Sequence, residues 1–145
     1  MLGKHSLSLI VAIIFSSTII FQNCASKNKI SNSKVFFETI YFGKSGGFTN
    51  LMEKYALKES GSVYKIIEGE EKEINSIEYS KILEIDHKLN TLDFKTISLE
   101  EVGNMTYFIE VNSNDYSNKI TWTDLTDNLG IKDLYKTLIS TFQNP

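Results

Sequence analysis

The sequence has no arginine, one cysteine, one tryptophan and a single proline, which is its last residue. Each scarcity closes off a class of function. Without Arg there is no planar fork to grip phosphate at two points; the 15 basic residues are all Lys, set against 18 acidic ones. Binding to a nucleic-acid backbone is therefore not expected. Lys as the only strong base, with abundant Ile and Asn, also fits AT-rich coding. One Cys allows neither an intrachain disulfide framework nor a thiolate metal cluster. No cofactor motif and no internal repeat stand out. With 145 residues the chain has room for one domain with a real core, and not comfortably for two.

The position of the Cys gives it meaning. Met1 to His5 carries Lys4, and Leu7 to Phe21 is a 15-residue, mostly apolar run interrupted by Ser8, Ser16, Ser17 and Thr18. A bilayer span takes roughly 20 apolar residues, so the run has the length of a signal peptide. Phe21, Gln22, Asn23 and Cys24 then occupy the place of a relaxed lipobox. The expectation is a leader over 1–23, removed before Cys24, whose thiol carries a diacylglycerol and whose new amine takes a further acyl chain such as palmitate. Two or three buried chains, at ~0.8 kcal/mol per methylene, hold a protein on a membrane essentially permanently. An uncleaved anchor and a secreted protein are the alternatives. Cleavage removes one Lys and no acid, which shifts the formal charge from −3 to −4.

Residues 24–34 comprise the lipidated Cys and a polar tether rich in Lys, Asn and Ser; ten such residues reach only about 17 Å. The domain spans 35–145. Phe36, Phe37, Ile40, Tyr41 and Phe42 predict a first strand, stopped by Gly43 and by Gly46 with Gly47. Leu51 to Leu57 alternates, Ser60 and Gly61 turn the chain, and Val63 to Glu68 closes a meander. Tyr79, Ile82, Leu83, Asp86 and Leu89 recur at helical spacing, which predicts a helix over 76–90 with Ser76 as its cap. Met105 to Val111 and Ile120 to Thr123 read as a hairpin around a polar turn. Ile131, Leu134, Tyr135, Leu138, Ile139 and Phe142 mark an amphipathic closing helix. The order βββαββα predicts an α+β fold: an antiparallel sheet of about five strands with both helices packed on one face.

Candidate chemistry is sparse. Gly43, Lys44 and Ser45 look like the end of a phosphate-binding loop, but position 38 is Glu and Gly46 with Gly47 follow where a helix should start. The structural reading is a hairpin whose glycines supply positive φ. His87 is the only His after the leader, with Asp86 beside it. Adjacent helical residues point about 100° apart, so Asp86 does not orient His87, and no Ser sits in a strand–turn–helix elbow. A surface His is expected; a small envelope hydrolase using His87 is the competing enzymatic reading. Glu68 to Glu73 and Asn112 to Asp115 lack the ligand spacing of a calcium loop and read as solvated turns, so no metal site is expected. Asn104, Met105 and Thr106 form a sequon that reads as a strand start. Trp122 reads as core.

Phe42, Gly43, Gly46, Gly47, Phe48, Thr49, Tyr55, Leu57, Gly61, Val63, Tyr64, Gly103, Asn104, Phe108, Ile109 and Trp122 together resemble a family of small uncharacterised Bacteroidetes lipoproteins. The chain departs from that family at Asn50, Val102 and Thr123. The resemblance covers most of 35–142 and implies fold and address, not chemistry. The shorter stretch Ser45, Gly46, Gly47, Phe48, Thr49 resembles the glycine turn of emfourin, an inhibitor of thermolysin-family metalloproteases; a rigid glycine turn can enter a cleft at little ordering cost.

The expectation is a lipid-anchored, non-enzymatic module of the cell envelope that binds an envelope protein, a protease or another ligand. Its binding turn is Gly43, Gly46, Gly47, Phe48 and Thr49, with no catalytic residue. Phe48 has two readings, a core residue closing the hairpin and an exposed anchor; the core reading is the expected one.

Overall fold

Thr39 to Gly46 alternates apolar with polar or small residues, and in the computed structural model it forms the central strand β1. The structure describes residues 34–48 and 51–143. The expected leader, Cys24 and the tether up to residue 33 lie outside the described residues, as do Thr49 and Asn50. Five further strands follow: β2 (Leu51–Lys58), β3 (Ser62–Ile67), β4 (Glu70–Ser76), β5 (Met105–Asn112) and β6 (Ser117–Thr123). They form one sheet in the order β4-β3-β2-β1-β5-β6, and every neighbouring pair is antiparallel.

The register assigns each residue to a face. Ile40 lies opposite Leu57 and Val111, and Phe42 opposite Tyr55 and Ile109; these side chains therefore share one face. Helices α1 (Tyr79–Thr91) and α2 (Leu129–Gln143) cover that face. Ile82, Ile85 and Leu89 from α1 and Ile131, Leu134 and Leu138 from α2 join the strand residues in one buried cluster. Each such side chain contributes about 1.5–3 kcal/mol by leaving water. The α+β class, the antiparallel sheet and the single helical face match the expectation; the order is ββββαββα, with one strand more.

The added strand corrects the reading of Glu68 to Glu73 as a turn. Only Glu68 and Gly69 turn the chain, both at positive φ, and Glu70 onwards pairs with β3. β4 is the sheet edge, exposed along nearly its whole length. Nothing on either face requires apolar alternation, and its charges discourage pairing with another chain. Ser76 ends this strand instead of capping α1, which begins after Glu78 without a side-chain cap.

The first strand is also displaced. Phe36 and Phe37 precede it, Phe37 buried and Phe36 exposed, and the strand runs through Gly43 to Gly46. The segment before it is fixed by Asp86, a buried carboxylate on the apolar side of α1 whose Oδ1 accepts the Phe36 N–H at 2.8 Å. Asn90 donates to Asp86 Oδ2 at 3.2 Å. A buried charge satisfied in this way anchors the incoming chain to the helix.

Candidate functional site

Three loops leave the sheet at the same end. Gly46 at the end of β1 pairs with Leu51 and with Met105, and Thr106 pairs with Thr123, the last residue of β6. The Gly47 N–H donates to the Asn104 carbonyl at 2.6 Å, tying the glycine turn to the loop before β5. Thr126 joins the third loop: its hydroxyl accepts the Thr123 N–H at 3.0 Å and donates to the Glu101 carboxylate. Gly47 has φ +76°, a conformation that side chains disfavour.

Among the described residues, several large apolar side chains of the strand ends and loops here face water. Phe48 is fully exposed, at 107%, and Val102, Leu125, Leu129 and Met52 are exposed with it. The expected placement of Phe48 in the core is thus corrected. Gly46 forms the last ladder pair and Gly47 carries the chain past it, so Phe48 follows beyond the end of the paired strands, where its side chain is exposed. Of the other residues of the expected binding turn, Gly46 and Gly47 lie at this tip, and Thr49 is outside the described residues. Gly43 lies within β1, three residues short of its end.

Beside the tip, on the helical face, is a cleft of about 230 Å³ lined by Tyr107, Trp122, Thr123, Asp124, Lys132, Tyr135 and Lys136. Tyr107 and Trp122 are cross-strand partners with stacked rings, 5.8 Å between centroids. Tyr135 from α2 meets both edge-on, at 5.5 and 5.4 Å. The Tyr107 hydroxyl donates to Asp124 Oδ1 at 2.8 Å, and Lys132 Nζ donates to the Asp124 carbonyl at 3.2 Å. The Asp124 hydrogen bond, followed by burial, raises the Tyr107 phenol above its ordinary value. Burial above all pushes Tyr135 well up as well, so both phenols stay neutral.

The sequence reading treated Trp122 as core, and it is 2% exposed. It did not bring Tyr107 and Tyr135 to it, because their convergence depends on the β5–β6 register and on the rotation of α2. The readable signal was Lys132 and Lys136, one turn apart beside Tyr135 on the helix flank. His87 is exposed on α1, and the neighbouring Asp86 turns inward to Phe36. The structure therefore does not assemble an Asp–His pair. Of the expected turn at Asn112 to Asp115, Asn112 is the last residue of β5; the turn begins at Ser113, whose hydroxyl accepts the Asp115 and Tyr116 N–H groups at 3.2 Å.

The fold and the two features at its loop end define a two-layer α+β domain with an apolar tip and an adjoining aromatic cleft. No protein-family model matches the sequence, and comparison with curated proteins returns no match.

Proposed function

We propose that the chain is a bacterial lipoprotein held to its membrane through lipid on Cys24, and that its domain is a non-enzymatic binding module of the cell envelope. The observation that carries the binding reading is the exposure of Phe48 at the end of β1. An aromatic ring in water, next to a glycine held by the Gly47–Asn104 hydrogen bond, has the character of an interface anchor. The turn after Gly46 stands about 25 Å along the strand from Thr39, where β1 begins.

A photo-crosslinking side chain in place of Phe48, in native membranes, tests this reading. An adduct heavier than the chain is expected from position 48 and not from Lys95, an exposed residue near Tyr116. Absence of an adduct at 48, or equal adducts at both positions, counts against it.

The same turn favours a second reading, an emfourin-like inhibitor of a thermolysin-family metalloprotease. An exposed aromatic after two glycines, on a hairpin anchored in the centre of a sheet, can enter a protease cleft without reordering.

A further inference from the structure

We propose that the cleft between β6 and α2 is a binding site for an aromatic carboxylate: one apolar ring with a carboxylate on a short arm. The proposal is independent of lipidation and of Phe48. The walls are preformed. Tyr107 is held by its bond to Asp124, and Trp122 and Tyr135 pack on it and on each other with ring centroids 5.4 to 5.8 Å apart. A ring entering the cleft meets apolar surface that needs no rearrangement, which keeps the cost of binding low.

Charge selects the other end of the ligand. Lys132 and Lys136 lie one helical turn apart on the lining, and neither forms a salt bridge among the described residues. The single acid of the lining, Asp124, already accepts the Tyr107 hydroxyl on its carboxylate and Lys132 on its carbonyl. The lining thus carries one positive charge in excess, at the edge of an apolar slot. The neutral phenols of Tyr107 and Tyr135 add no negative charge to oppose a carboxylate.

The other ligand classes fit less well. A cation cage needs free ring faces around a void, whereas these three rings pack on one another and the mouth is lysine-lined. An oligosaccharide needs more room. At about 230 Å³ the cleft lies below the range of roughly 300–1,000 Å³ of drug-sized sites, which matches one ring and a short arm.

Trp122 is the only tryptophan of the chain, so its fluorescence reports this cleft directly. The experiment titrates the full chain in detergent with phenylacetate, exciting at the red edge where the ligand does not absorb. A saturable change is expected, with neutral phenylacetamide and cationic phenethylamine each at least about tenfold weaker. The double variant Lys132→Gln, Lys136→Gln removes only charges outside the core cluster and should weaken phenylacetate about tenfold with an unchanged circular dichroism spectrum. An acetylated dipeptide ending in Phe separates two sources of the same chemistry. Tighter binding than phenylacetate assigns the site to a peptide carboxyl terminus, and weaker or equal binding to a free acid; both support the site. No saturable change by about 10 mM in any arm, equal binding of phenethylamine, or full binding by the double variant overturns the proposal.

Discussion

The ring of Phe108 on β5 lies over Gly43 on β1, with Cε1 3.1 Å from the position that a Cβ on Gly43 would take. This contact lies on the sheet face away from the helices, where Lys119 Nζ sits 5.5 Å from the Phe108 centroid. A Cβ on Gly43 would also collide with the carbonyl oxygen of Glu53 on the neighbouring strand. Gly43 is therefore a packing residue of the central strand. Overpacking of this kind costs about 1–3 kcal/mol, and a clash with backbone falls at the upper end. Gly43→Ala should lower the urea midpoint accordingly; an unchanged midpoint would show that β1 and β2 can part without cost.

That contact also explains why the sequence misplaced the first strand. A glycine after Phe42 reads as a stop when only local pattern is considered, and the aromatic that fills its place lies 65 positions further on, at Phe108. β2, β3, β5 and β6 and both helices were legible because each turns one apolar side to the same core, giving a period of two or of 3.6. β4 was not, since an edge strand exposed on both faces has no apolar period to display. At the candidate site the glycine turn was legible, as positive φ leaves its mark in residue type. The cleft was not, because Tyr107, Trp122 and Tyr135 meet only through register and helix rotation.

Lys88 on α1 pairs with Asp133 on α2 and links the two helices across their exposed side. The hydrogen bond from Lys88, then its charge, holds the Asp133 carboxyl below its usual range, and the same bond raises the Lys88 ammonium. A depressed carboxylate stabilises the fold above its unfolded value and ceases to do so as acid passes through the folded one. A raised ammonium stabilises below its ordinary 10.5 and ceases to do so as pH climbs through the folded value. Both statements describe one pair, so Lys88→Gln should differ from the unaltered chain near neutral pH and converge with it in strong acid and strong alkali. The pair is exposed to solvent, and molar salt should shrink the difference. A difference in urea midpoint that is constant with pH would assign the effect to packing of the Lys stem instead.

Lipidation makes a prediction that needs no fold. Metabolic labelling with a palmitate analogue should mark the unaltered chain and leave Cys24→Ser unmarked, since the thiol is the acceptor and Cys24 is the only Cys. The Ser variant should also keep its leader and run as a larger species. Labelling that persists in it would remove the anchoring half of the proposed function while leaving the binding half intact.

Phe48 separates a structural role from a binding one. A buried Phe truncated to Ala costs about 3–5 kcal/mol, whereas a surface change away from special features stays within about 0.5 kcal/mol. Phe48 is fully exposed, so Phe48→Ala should leave the urea midpoint almost unmoved while abolishing capture of the partner found by crosslinking at that position. Gly47 gives the converse variant. At φ +76° a branched side chain is strained, and Gly47→Val should distort the turn that presents the ring. For the inhibitor reading, the domain from Lys34 onwards should slow a thermolysin-like protease at stoichiometric concentration, and both variants should relieve the inhibition. A protease panel that is unaffected by the domain would exclude that reading. A large stability loss in Phe48→Ala would exclude the anchor as well, because it would mean that the ring packs against the domain in solution.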